Sequence, residues 1–187
     1  MSIARKILMG SSGGKKSTYV DDVFSTYLYK GTQGSNTANT GLDMTEGGMV
    51  WYKSRSASNT QNLLTDTVRG ANKVLYSDAS NGENNDTGLN QTFTNTGWTL
   101  NNGYSDANNG SNTYTSWNFR KQKGFFDVLT YTGNGSNRTI AHNLGSVPGC
   151  IIIKCTSENG RDWTIFHRGL APVDPASYRL RFTNNPR

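Results

Sequence analysis

The sequence predicts an all-β protein, a β-sandwich or barrel, preceded by an extended arm and followed by the start of a second β module. Three observations carry this. Only 33% of residues are hydrophobic and 17% charged, while Asn, Thr, Ser and 21 Gly fill the remainder. Short apolar runs separated by Gly-rich turns are the pattern of antiparallel sheets. Finally, one stretch returns about a hundred residues later. Gly48-Met49-Val50-Trp51-Tyr52-Lys53, a polar turn and Leu63 to Gly70 are matched by Gly149-Cys150-Ile151-Ile152-Ile153-Lys154, a polar turn and Trp163 to Gly169. A repeat of this size implies a repeated domain rather than a short solenoid unit.

The aromatic content of 11% argues against disorder, and with few aliphatics the core must lean on large rings. The formal net charge is +6, but Lys and Arg are scattered from Arg5 to Arg187. A solvated surface with a basic N-terminal arm is therefore expected, not a nucleic-acid interface. No apolar run approaches the roughly 20 residues of a membrane span. Cys150 and Cys155 stand five apart on what reads as one strand, about 16 Å between Cα atoms, too far for a disulfide. Both are expected as free thiols, at least one packed inside.

Residues 1–18 are basic and then Gly/Ser-rich, and read as an extended arm. Residues 19–123 read as the sandwich. Within it, Tyr19 to Tyr29 is dense in aromatics. Val23, Phe24, Tyr27 and Leu28 fit a short helical face, whereas Thr26 to Tyr29 fit a strand, taken here as the first of the sandwich. Gly31 to Gly41 reads as a polar connection. Met49 to Lys53 is a nearly continuous apolar run, as in a central strand, with Trp51 at the core centre. Asn62 to Val68 and Lys73 to Ser77 follow, with a turn at Arg69 to Asn72. Asp78 to Gly88 is a loop. Gln91 to Thr94 and Gly97 to Leu100 form a hairpin. After another Asn/Gly loop, Tyr114 to Arg120 alternates, with Thr115, Trp117 and Phe119 on one face. Trp51 and Trp117 are expected to be buried. Residues 124–187 open the second module, with strands at Phe125 to Thr132, Arg138 to His142, the repeated hairpin and Tyr178 to Phe182. Trp163 is expected in that module's own core. That module lacks counterparts of the Trp98 hairpin and of the closing strand, so its sheet should expose an apolar face. The chain is accordingly expected to be an excerpt of a longer protein.

Few residues suggest chemistry. Glycoside hydrolysis needs paired carboxylates on one face, and no such run occurs; Asp21 and Asp22 are adjacent. Asp78, Ser80, Asn84, Asn85 and Asp86 offer oxygen ligands but lack calcium-loop spacing. Cys150, Cys155, His142 and His167 match no zinc pattern; His142-Asn143 suits a turn. Gly10 to Gly14 lacks the Gly-Lys-Ser/Thr ending of a phosphate loop. No enzyme activity, metal or cofactor is expected. Trp98, Tyr104 and Tyr114 are the candidates for stacking on a glycan.

Several motifs together resemble the recurring modules of tail fibres from marine tailed phages, such as those infecting cyanobacteria. They are Gly48 to Arg55, Asp66-Thr67-Val68-Arg69-Gly70, Phe125 to Gly135, and Ile140 to Gly149. The opening Tyr19 to Tyr29 resembles the beginning of the same fibres. The resemblance covers nearly the whole chain. It implies a concanavalin- or laminin-G-like sandwich in a structural virion protein, commonly a homotrimer, whose N-terminus docks to tail proteins (an adaptor, a nozzle or an equivalent) and whose distal parts meet the host receptor. On that reading Ile3, Arg5, Lys6, Ile7, Leu8, Lys15, Lys16 and Phe24 are the docking residues. The other reading is a lectin-like sandwich binding host surface glycan.

Overall fold

The computed structural model describes residues 18–182. Its strands are β1 (Phe24–Lys30), β2 (Asn36–Asn39), β3 (Gly48–Ser54), β4 (Leu63–Asp66), β5 (Gly70–Tyr76), β6 (Asn84–Asn85), β7 (Gln91–Thr94), β8 (Gly97–Leu100), β9 (Thr113–Arg120), β10 (Cys150–Ile153) and β11 (Thr164–His167). Helical structure among the described residues is limited to single 3-10 turns at Val20–Asp22, Met44–Glu46 and Pro175–Ser177. The fold is the expected all-β sandwich. One sheet runs β1-β9-β3-β4-β5-β6, a three-stranded sheet runs β2-β8-β7, and β10-β11 form a separate antiparallel hairpin.

The two larger sheets enclose the core, and registry decides which side chains fill it. Val50 pairs with Thr65 and Asn118, and Tyr52 pairs with Leu63 and Ser116. All six of these residues are buried. From the opposite sheet come Ala38, Trp98 and Leu100. Trp98 is the hub. It is fully buried, lies edge-on to Tyr29 at 5.2 Å and Tyr52 at 5.1 Å, and donates its indole N–H to Asn118 Oδ1 at 2.9 Å. The small residues Ser116 and Asn118 leave room for that indole, and Asn118 satisfies its one polar atom.

This inverts the expected faces. Trp51 and Trp117 do alternate with the core residues, but onto the outer surface of the large sheet, where both are half-buried and pack edge-on at 5.7 Å. The alternation expected for β9 is correct; its Trp117 side is the outer one, and Tyr114 shares the inner side with Ser116 and Asn118. The expected polar connection at Gly31 to Gly41 contains β2, and the loop at Asp78 to Gly88 contains the two residues of β6. The expected turn at Arg69 to Asn72 sits earlier. Asp66 Oδ1 accepts from the N–H groups of Val68 and Arg69, and the Arg69 guanidinium returns to Asp66 at 2.6 Å. The reversal therefore closes on Asp66, and β5 begins at Gly70. Gly48 opens β3 where a Cβ would lie 2.3 Å from the Phe119 carbonyl oxygen, so the close approach of β3 to β9 requires glycine there.

In the second unit, β10 and β11 repeat β3 and β4 in register. Cys150 pairs with His167 and Ile153 with Thr164, as Met49 pairs with Asp66 and Tyr52 with Leu63. The strands expected at Phe125 to Thr132 and Arg138 to His142 do not form. Topology gives the reason. Phe126 to Thr132 and Arg138 to His142 stand about a hundred residues after β1 and β2, in the same order before the repeated glycine. In the first unit β1 pairs only with β9, and β2 only with β8. Neither partner has a counterpart among residues 124–182, so those segments lack a ladder to join. β3 and β4 pair with each other, and their repeats can too. Tyr178 to Phe182 contributes a single bridge, Leu180 to Ile165, at the position where Leu75 pairs with Leu64.

Trp163 also departs from expectation. It packs on Leu64 and Leu75, with Met49 and Trp51 alongside, on the outer face of the first unit, and donates to the Tyr76 carbonyl at 2.7 Å. Phe182 joins it, 5.7 Å from Trp163 and 5.6 Å from Trp51. Trp163 is thus buried against the first unit's outer side, and Ile165 is buried as well. Both cysteines are free, as expected, but neither is buried: Cys150 is exposed and Cys155 half-exposed.

Candidate functional site

Where the second hairpin meets the first unit, loops converge on an open depression of about 620 Å³. Its lining is mostly amide: Asn59 and Gln61 from the loop after β3, Asn81 and Asn84 around β6, and Asn159 from the β10–β11 loop. Tyr76, Glu83 and Asp106 complete the wall. The loop clips across the sheet edge through backbone groups. Gly82 N–H donates to Asn159 Oδ1 at 2.9 Å, Glu83 N–H to the Thr156 carbonyl at 2.7 Å, and Lys154 to the Ser80 carbonyl at 3.2 Å. Glu83 is committed to Arg69 and Lys73, so it acts as a strut of the wall. Burial pushes the Asp106 carboxyl above its ordinary range, a direction that Asp78 and Asp86 reinforce, while the Gln61 backbone and Ser105 hydroxyl oppose it. Amides, a carboxyl group and one tyrosine in a polar concavity suit a polyhydroxylated ligand, because they offer paired donors and acceptors.

The glycan candidates are not brought together there. Trp98 and Tyr114 are fully buried core residues, which corrects their assignment as ligand-facing rings. Tyr114 stacks on Tyr29 at 5.3 Å, and its hydroxyl donates to the Ser105 carbonyl at 3.0 Å. Tyr104 is half-buried, with its hydroxyl held by Asp86 at 2.6 Å. Burial, followed by that hydrogen bond, raises its pKa far above the ordinary phenol value. Aromatic residue type alone selected these three. The depression is assembled from loops distant in the chain, and no spacing marks it.

Of the docking candidates, Ile3, Arg5, Lys6, Ile7, Leu8, Lys15 and Lys16 lie outside the described residues. Phe24 is described, and its own chain engages it. It opens β1 opposite Phe119, the rings 5.0 Å apart, and Phe126 lies 5.3 Å beyond. Nearby, Asp127 ties down the segment between the units. Its carboxylate meets Lys121 at 2.9 Å and accepts from the N–H of Asn143 at 2.8 Å. Burial opposes the charge, yet those bonds hold its pKa below the ordinary range. His142 does serve a turn: its Nδ1 accepts from Leu144 N–H at 3.2 Å. Among the described residues no three His, Cys, Asp or Glu side chains are placed to hold a metal ion, and no helix is long and apolar enough to cross a membrane.

Residues 19–185 match the family model described as a domain of unknown function, DUF7483, and the chain belongs to that family. No curated protein and no solved structure matches the chain.

Proposed function

We propose that this DUF7483 protein is a structural, non-enzymatic component of a phage virion, the tail-proximal part of a tail fibre. The observation that carries the reading is the serial repeat. A second β3–β4-type hairpin in the same register follows a finished sandwich in one chain, as in a rod assembled from like modules. The resemblance of the Gly48 to Gly70 and Phe125 to Gly149 motifs to marine phage fibres agrees with it. On this reading the chain is a homotrimer, residues 1–18 dock it to tail proteins, and distal parts contact the host receptor. The arm's Arg5, Lys6, Lys15 and Lys16 suit an acidic patch, and Ile3, Ile7 and Leu8 supply apolar contact. Phe24 is left out of the docking set, because it packs on Phe119. Deleting residues 1–18 tests this. Particles should assemble without fibres while residues 19–187 stay folded by circular dichroism; particles that retain the fibre would refute the docking role.

A second reading, glycan binding, is favoured by one observation, the amide-lined depression bordered by Tyr76, Asp106 and Asn159. Titrating oligosaccharides while monitoring backbone NMR shifts separates the two readings. Shifts clustered at Asn59, Asn81 and Asn159 and lost in Asn159→Ala would favour binding, whereas a flat response across a broad glycan panel would remove it.

A further inference from the structure

The first unit shows what the exposed face of the second is shaped to receive. Ile151 and Ile153 occupy the register positions of Val50 and Tyr52. Val50 and Tyr52 are 0% exposed; Ile151 and Ile153 are each 41% exposed. In the first unit that inner face is covered by the sheet containing β8, and the large sheet's outer strand β1 is held by β9. Their counterparts are the missing pieces of the second unit. The segments they would pair with, Phe126 to Thr132 and Arg138 to His142, join no ladder, Phe126 making only an isolated bridge to Gln122.

We infer that residues 124–182 form a half-built sandwich whose Ile151–Ile153–Phe166 face and unzipped first two strands are a docking site for one occupant: a polypeptide segment carrying a β8–β9-type strand pair, with a buried ring on the first strand and an alternating second. A second copy of this chain does not fit. Its own β8 and β9 are engaged in its first sandwich. Packing the two hairpin faces on each other would cover only roughly 13 Å by 10 Å. That is on the order of 130 Å² against about 800 Å² per partner in a stable association. The inference stands independently of the virion reading, since it rests on the repeat and its register alone.

The test extends the full chain with a copy of residues 77–123 after Arg187, beside a chain extended by the same residues scrambled. Amide hydrogen exchange is read at 126–132 and 138–142, with light scattering for mass. The copied extension should slow exchange there at least about tenfold, the signature of recruitment into a cooperative ladder, and abolish binding of a hydrophobic dye. The scrambled one should do neither. Ile153→Asp in the extended chain should restore fast exchange while leaving β1–β9 protected. A peptide of residues 94–120, added to the unextended chain, should protect the same amides. Unchanged exchange with both the copied extension and the peptide, the first unit remaining folded, overturns the inference. So does an unextended chain that already protects these amides as an oligomer, which would assign the face to a second copy.

Discussion

Trp98→Ala removes the ring on which both sheets close. The indole is fully buried, touches Tyr27, Tyr29 and Tyr52, and bonds Asn118. Truncating a buried tryptophan costs roughly 3–5 kcal/mol. Domain stabilities are about 5–15 kcal/mol, so the loss is a large fraction of the whole. Trp98→Phe separates two contributions. It keeps much of the ring volume but leaves the Asn118 carbonyl oxygen with only a long 3.4 Å bond from Ser116, a loss of about 1–3 kcal/mol. Trp51→Ala is the control. That ring lies half-exposed on the outer face and should cost no more than about 2 kcal/mol, an ordinary surface-to-boundary value. Urea denaturation followed by far-ultraviolet circular dichroism gives all three values. Trp51→Ala proving more damaging than Trp98→Ala would refute the assignment of inner and outer faces.

Two further substitutions probe the backbone and the depression. Gly48→Ala places a methyl 2.3 Å from the Phe119 carbonyl oxygen and should lower the thermal midpoint sharply, whereas Gly34→Ala, with nothing within 4 Å, should leave it nearly unchanged. Burial raises the Asp106 carboxyl in the folded state above 3.8, so its stabilising, protonated form is complete below that value and is lost as pH rises through the folded pKa. Asp106→Asn should therefore raise the thermal midpoint at pH 7 and give no gain at pH 3; the opposite ordering in differential scanning calorimetry would contradict the burial argument.

The strands of the first unit were legible because each carries its own alternation or apolar run: Thr113–Arg120, Gln91–Thr94 and Gly97–Leu100 stand where the pattern puts them. Which face turns inward was not legible from residue size. Trp51 and Trp117 are the bulkiest members of their strands, yet the core selects Ser116 and Asn118 because a single indole from the other sheet needs space and an acceptor. Short polar strands such as β2 carry no apolar signal of their own and exist through pairing with β8. The converse holds at Phe125 to Thr132, which alternates well and still forms no strand. Local pattern nominates a strand, and a partner with the right register decides it. The depression was invisible in sequence, since Asn59, Asn84, Asp106 and Asn159 meet only through the clip of the second hairpin onto the first sheet.

Peptide-resolved hydrogen exchange on the unextended 1–187 chain tests most directly the claim that partner availability divides the chain into one finished sandwich and one half-built unit. Amides of β1, β3 and β9 should exchange slowly and together, and those of 126–132 and 138–142 near the rate of unstructured chain. Protection of 126–132 equal to that of Phe24–Lys30, its counterpart in the first unit, would contradict the account.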